Sequence, residues 1–325
     1  MSADEFEIIE RFFTRQAISR DDVQLGIGDD AAVLRVPANS ELVLCMDTLV
    51  AGVHFPANTP AAAIGHKALA VNLSDLAAMG AVPAWATLSI TLPENNVGWL
   101  AEFAHGFFQL AEQHGVQLVG GDTTRGPLTV TVQAHGFVPH GQAINRSGAQ
   151  AGDYIYVTGT LGDAGLALRQ EGGAGSELRS RLDFPEPRIA TGLALRGHAS
   201  AAIDVSDGLL ADLGHLLETD NLGASVQLEA LPRSGEFVAA VEQLHDHQTL
   251  FNALPLSAGD DYELCFTVPA AHCSVVEARC AGLPGRCTSI GVIEATAGVR
   301  CHLENGTAWQ PDRDGYRHFD GEGHG

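Results

Sequence analysis

The chain has 325 residues, 45% of them apolar, and 40 acidic against 18 basic residues give it a formal net charge of −22. That length suits two domains of ordinary size, and the charge excludes a nucleic-acid or acidic-membrane surface, which needs a basic footprint. No apolar run is long enough to span a bilayer. The start, Met-Ser-Ala-Asp-Glu-Phe-Glu, lacks the basic residues and apolar run of a signal peptide. Six cysteines, none in a Cys-x-x-Cys pair, read as free thiols of a reducing compartment rather than as a zinc site. A cytoplasmic protein is expected.

In chain order, residues 4–16 carry Phe6, Ile9 and Phe13 at helical spacing, an amphipathic opening helix. Leu42 to Met46 is a short apolar strand ending before Asp47. Ala61 to Ala78, rich in Ala and Leu, reads as a helix. Trp85 to Leu92 alternates and stops at Pro93, a strand. Val97 to His114 places Leu100, Phe103, Phe107 and Leu110 on one helical face, and Gly115 ends it. Gln117 to Val119 is a short strand, and Leu128 to Val138 alternates as a half-buried one. The pattern resets at Ala149–Asp153, which divides an N-terminal domain, 1–148, from a C-terminal domain, 149–320. The second half opens with a strand at Tyr154–Val157. Helices are expected at Gly162–Leu168, Pro187–Arg196 and Leu209–Glu218, a flexible loop at Glu171–Ser176 and a disordered tail at 321–325.

The acidic residues fall in short Gly-, Ser- or Thr-flanked stretches beside these apolar segments: Gly26-Ile-Gly-Asp-Asp30, Asp47-Thr48, Asn72-Leu-Ser-Asp75, Gly120-Gly-Asp-Thr-Thr124, Asp204-Val-Ser-Asp-Gly208 and Gly259-Asp-Asp-Tyr-Glu263. Read as turns at strand ends, they fix the backbone and expose the carboxylate. Gathered together, they would hold hard divalent cations such as Mg2+, which take oxygen ligands from a few carboxylates and from substrate phosphates. Read singly, each is an ordinary solvated turn. Asn72–Asp75 and Asp204–Asp207 share an x-apolar-Ser-Asp pattern, read either as two helix N-caps or as two acidic caps facing one site.

Known nucleotide signatures are missing: there is no Gly-x-x-x-x-Gly-Lys-Ser/Thr loop, no His-Arg-Asp kinase loop and no Gly-x-Gly-x-x-Gly after a strand. Lys67 is the sole lysine. Phosphate charge must then be met by arginine, cations and backbone amides. Arg146, in Asn-Arg-Ser-Gly, is the best-placed arginine, and His54, seven residues after Asp47, is a candidate substrate contact. Each is equally a surface or loop residue when taken alone.

Read together and in order, these motifs resemble the thiamine-monophosphate kinases, of the superfamily that includes aminoimidazole-ribonucleotide synthetase. The stretches that carry the resemblance are 26–33, 47–55, 67–80, 120–126, 203–208 and 260–266. Asp-Thr-Leu-Val-Ala-Gly-Val-His-Phe and Gly-Gly-Asp-Thr-Thr-Arg-Gly are the most diagnostic among them. The resemblance implies an α/β (α+β) two-domain fold of the aminoimidazole-ribonucleotide-synthetase type. The N-terminal domain would bind ATP and Mg2+ and pair its strands across a homodimer; the C-terminal domain would be α+β. It implies direct phosphoryl transfer from ATP to thiamine monophosphate, the last step in making thiamine diphosphate, with no enzyme nucleophile. Such transfer needs positioning and charge neutralisation above all.

By position, the resemblance makes Asp30, Asp47, Asp75, Asp122, Asp204 and Asp207 ligands of several Mg2+ ions. It makes Gly121, Asp122, Arg146 and Ser206 contacts to ATP, and His54, Asp260 and Tyr316 contacts to thiamine monophosphate. Two positions depart from the family pattern: Cys45-Met46 replaces small hydroxyl residues, and Asp260 replaces the usual Glu. The alternatives are another ATP-dependent enzyme of the superfamily or a non-catalytic nucleotide-binding relative.

Overall fold

Alternating burial along four strands organises the first half of the chain. The computed structural model describes residues 5–14, 16, 19–170 and 177–316, so the expected loop at 171–176 and tail at 321–325 lie outside the described residues. The chain divides into two compact units, Met1–Ala143 with Asp183–Ile189, and Ile144–Leu182 with Ala190–Gly325.

The first unit opens with α1 (Glu5–Ile8), which widens into a π turn at Ile9–Phe13. A small antiparallel ribbon follows, β1 (Val23–Leu25) with β2 (Val33–Leu34). Then come β3 (Ser40–Val50), α2 (Ala61–Ala78), β4 (Val82–Leu92), α3 (Val97–Gln113), β5 (Gln117–Arg125) and β6 (Thr129–Pro139). The sheet order is β3-β6-β4-β5. Only β4 and β5 are parallel, the pair whose connection contains a helix.

Two helices cover one face of this sheet. The Asn96 side chain caps α3 by accepting the Trp99 N–H at 3.1 Å, and Gly115, at φ 64°, ends the helix. Leu100, Phe103, Phe107 and Leu110 of α3 are buried, and Phe13 packs edge-on against Phe103. The two helix backbones nearly touch. A Cβ on Gly65 would lie 2.1 Å from the Phe103 carbonyl oxygen, and one on Gly106 would lie 1.9 Å from that of Ala62. On the opposite face Trp85, Val119 and Phe137 pack under Val23, Ala32 and Leu34 of the ribbon. The outward residues of the edge strand β3 have no such cover: Leu42, Leu44 and Met46 are 41%, 57% and 62% exposed.

The second unit contains β7 (Tyr154–Thr158), α4 (Asp163–Arg169), α5 (Glu177–Asp183), α6 (Ile189–Leu195), β8 (Ala201–Val205), α7 (Leu209–Glu218) and β9 (Gly223–Gln227). It continues with α8 (Gly235–Val241), α9 (His247–Ser257), β10 (Glu263–Val268), α10 (Cys273–Cys280), β11 (Cys287–Glu294), β12 (Gly298–His302) and β13 (Ala308–Trp309). Seven strands form one mixed sheet in the order β13-β12-β9-β11-β7-β10-β8. The leucines of α7 (Leu209, Leu210, Leu213, Leu216, Leu217) pack with Ile203, Val205 and Leu256 in its core.

Three expectations about the acidic stretches are corrected. Asp47 lies within β3, which runs on to Val50 because all eleven of its residues pair with β6. Asn72–Asp75 does not precede a helix; it forms the closing turns of α2, which Gly80 at φ 65° terminates. Gly120–Asp122 is not a turn after a short strand but the middle of β5. Gly106→Ala should force α2 and α3 apart and cost about 1–3 kcal/mol, the usual penalty of overpacking, measurable as a lowered urea midpoint at unchanged slope.

Candidate functional site

In the first unit the candidate residues assemble in two groups. Asp30, Gly121 and Asp122 line one cavity of about 800 Å³, whose wall also includes Phe6, Ile9 and Phe13. Gly121 is required by the sheet itself. The register of β4 and β5 slips between Ala86 and Thr87, so that Ala86 faces Leu118 and Thr87 faces Gly120. A Cβ at 121 would then stand 1.8 Å from the Leu88 carbonyl oxygen, whereas one at 120 would meet nothing nearer than 3.9 Å.

The second group is Asp47 on β3 with Asp75 on the last turn of α2, on either side of Cys45. The Cys45 thiol donates to the Asn72 carbonyl at 3.2 Å. Burial, then the charges of Asp75 and Asp47, push this thiol far above its ordinary range. Asp47 is itself raised by burial. Two carboxylates in a part-buried setting beside a neutral thiol accumulate negative charge, which a cation would offset. His54 follows β3; its Nδ1 accepts the Val50 N–H at 3.0 Å, which leaves the ring proton on Nε2 as a donor. The Lys67 ammonium donates to the His54 carbonyl at 3.4 Å.

These two groups do not merge within one sheet. Asp47 is in register with Val132, Leu88 and Gly121, and Asp122 with Ser89, Thr131 and Thr48. Asp47 and Asp122 therefore sit on opposite edge strands, three strand spacings or about 14 Å apart. Among the described residues no three His, Cys, Asp or Glu side chains are gathered as a metal site. The donors come in pairs and are all oxygen. That set fits Mg2+, which is held by one or two carboxylates and completed by phosphate oxygens and water.

In the second unit the candidates converge on one turn. Asp204 is the penultimate residue of the buried strand β8, and Ser206 and Asp207 follow the strand toward α7. The Asp260 N–H donates to the Ser206 carbonyl, and the Tyr262 N–H to that of Val205, both at 2.8 Å. The Tyr316 N–H donates to the Asp207 carbonyl at 2.9 Å. Arg146 is tied in through its neighbour, since the Asn145 carbonyl accepts the Ala202 N–H at 3.0 Å. Asp207 and Tyr316 also line a cavity of about 880 Å³ with Leu210, Ala211 and Val299.

The Gly259–Glu263 stretch, together with Thr158, Gly162, Arg181 and Asp212, which sequence reasoning passed over, holds this arrangement. Gly259, Asp260 and Tyr262 all have φ between 49° and 74°, a costly conformation for the two that are not glycine. Fully buried Asp261 anchors them by accepting the Gly162 N–H at 2.9 and 3.1 Å; burial raises its carboxyl well above the carboxylate range. Beside it Glu263 takes Arg181 and the Thr158 hydroxyl, each at 2.6 Å. Asp212 of α7 accepts the amides of Ser206, Asp207 and Gly208, and burial next to Asp204 and Asp207 pushes it up to about 7. An Asp four residues after a helix-starting Gly was the available signal.

Comparison with known proteins agrees along the whole chain. The family description "AIR synthase related protein, N-terminal domain" matches residues 28–138, and its C-terminal counterpart matches 150–304. The thiamine-monophosphate kinase of Escherichia coli K12 is 47% identical, over 98% of this chain and 99% of its own. The crystal structure of the thiamine-monophosphate kinase of Stenotrophomonas maltophilia K279a superposes with a TM-score of 0.83 at 48% identity, covering 95% of this chain and 99% of that one. AaThiL complexed with AMPPCP and TMP superposes at 0.75 with 29% identity, covering 97% of each.

Gly121→Ala should break the β4–β5 register and lower the urea midpoint clearly. Gly120→Ala should stay within about 0.5 kcal/mol of the parent. Equal effects of the two substitutions would show that the glycine at 121 is not there for strand contact.

Proposed function

The chain belongs to the thiamine-monophosphate kinase family, and from that premise we propose that it transfers the γ-phosphate of ATP to thiamine monophosphate, giving ADP and thiamine diphosphate. The observation that carries this reading is the full-length likeness at 47% identity to the Escherichia coli enzyme. The pairing of AMPPCP, an ATP analogue, with TMP on a relative supports the choice of both substrates.

The acceptor is a phosphate oxygen, already anionic at neutral pH, so the reaction asks for no protein nucleophile and no strong base. It asks for two polyanions to be brought into line. In our reading Asp30, Asp47, Asp75, Asp122, Asp204 and Asp207 hold Mg2+. When bound, Mg2+ supplies positive charge on the phosphate oxygens, which otherwise repel one another. Gly121 and Asp122 meet the nucleotide, and Arg146 and the Ser206 hydroxyl take its phosphates. His54 donates from Nε2 to the acceptor phosphate, Asp260 contacts the substrate and Tyr316 packs on its heterocycle. The domains at 1–148 and 149–320 divide these tasks, the first binding nucleotide and dimerising. Six free cysteines suit a reducing cytoplasm, and among the described residues no helix is long and apolar enough to cross a membrane.

The test is ADP release from MgATP with and without thiamine monophosphate, with chromatography for the diphosphate. Diphosphate formation that EDTA abolishes is expected. ATP binding without diphosphate would point to a sister activity. Asp30→Asn and Asp122→Asn should each lower kcat by at least about 100-fold with the fold intact by circular dichroism.

A homodimer through β3 completes the proposal. Its uncovered Leu42, Leu44 and Met46 lie on a long edge strand, a surface that invites a second chain. A second copy set with its β5 edge against this β3 would also bring Asp122 of the partner subunit toward Asp47. Mixing inactive Asp47→Asn and Asp122→Asn proteins should then restore activity, because one of the two sites in the hybrid keeps both carboxylates. No recovery in a hybrid shown to have formed would place both carboxylates in the same protomer's site.

A further inference from the structure

We propose that Asp212 is a positioning residue for phosphoryl transfer: by gathering the amides of Ser206, Asp207 and Gly208 on one carboxylate oxygen it aims the Ser206 hydroxyl and the Asp207 carboxylate. This rests on the function proposed above, and on geometry that stands without it. Asp212 Oδ2 accepts from the three successive amides at 3.0, 3.1 and 3.2 Å. The residue is 3% exposed, so no solvent path connects it to a substrate and its action passes through the turn.

The turn is fixed from its other side by the carbonyls. Ser206 and Val205 accept the Asp260 and Tyr262 amides, and Asp207 accepts the Tyr316 amide. A Cβ on Gly259 would lie 2.6 Å from the Ser206 carbonyl oxygen, and one on Gly208 would lie 2.9 Å from Ser257 backbone, so neither neighbour leaves room to shift. Every backbone hydrogen-bonding group of residues 206 and 207 is thus engaged within the unit, with Asp212 taking both amides. The arrangement is also costly. A third carboxylate is buried against Asp204 and Asp207, where an uncharged acceptor would serve a purely structural cap. A charged acceptor binds three amides more firmly than a neutral one, which is what precise aim requires.

The experiment compares Asp212→Ala and Asp212→Asn with the full-length parent. Asn keeps one oxygen acceptor of similar size; Ala keeps none. Loss of aim should lower kcat by about 100-fold in Asp212→Ala, the effect of displacing a reacting group by about 1 Å, with an intermediate loss in Asp212→Asn. The KM for thiamine monophosphate should change less than about threefold, and the Mg2+ concentration for half-maximal rate should rise. A lowered Tm with parental kcat and Mg2+ dependence in the folded protein would overturn the proposal and leave a structural cap. If Asp212→Ala does not fold, Asp212→Asn carries the same comparison. If the parent itself makes no thiamine diphosphate, the functional reading fails separately. Mn2+ titration followed by electron paramagnetic resonance then decides: weaker binding in Asp212→Asn than in the parent supports the positioning role, and equal binding overturns it.

Discussion

Carboxylates held close to one another by hydrogen bonds and packing are the constraint on which this molecule turns. Asp47 and Asp75 flank a buried thiol, and Asp204, Asp207 and Asp212 crowd the start of α7. The chain has one lysine, and its ammonium donates to the His54 carbonyl. Burial and, after it, the charges of Asp204 and Asp207 push the Asp212 carboxyl up to about 7. Hydrogen bonds fix these groups, and in the function proposed above divalent cations would offset their accumulated charge.

The scaffold supplies that fixity by close backbone contact. Gly65 and Gly106 let α2 meet α3, and α2 in turn carries Asp75 toward β3. Gly121 lets the irregular β4–β5 pair close under the cavity that Asp30 and Asp122 line. In the second unit the strained turn at 259–262 is held down by Asp261, and it in turn clamps Ser206. At each place a residue far from any reacting atom determines where a functional oxygen stands.

Periodicity made much of this fold legible. α2 and α7 were bounded to the residue by their runs of Ala and Leu, and α3 to within one residue by its leucine–phenylalanine face and Gly115. What misled was local chemistry. Ser74 and Asp75 are good helix starters, yet here they close a helix, because thirteen apolar-rich residues before them had already begun it. Asp47 and Gly120–Asp122 look like turn residues, but cross-strand pairing over the full length of β3 and β5 overrode that preference. The candidate site was readable as a set of residues in order, though not as geometry. The sequence does not reveal that Asp47 and Asp122 stand at opposite sheet edges, nor that Asp212 and Asp261 bind backbone amides, since both facts depend on long-range pairing.

The start of α7 shows why so acidic a chain suits polyphosphate chemistry. A helix N-terminus is a ready anion site, and many phosphate-binding proteins use its free amides directly. Here the amides of 206, 207 and 208, which lead into the helix, serve Asp212 instead. Phosphate charge must then be met by arginine, hydroxyl groups and metal ions. In the function proposed above, an acidic turn in place of an amide nest would favour phosphate that arrives with its cation over free phosphate, which suits a reaction that joins two anions.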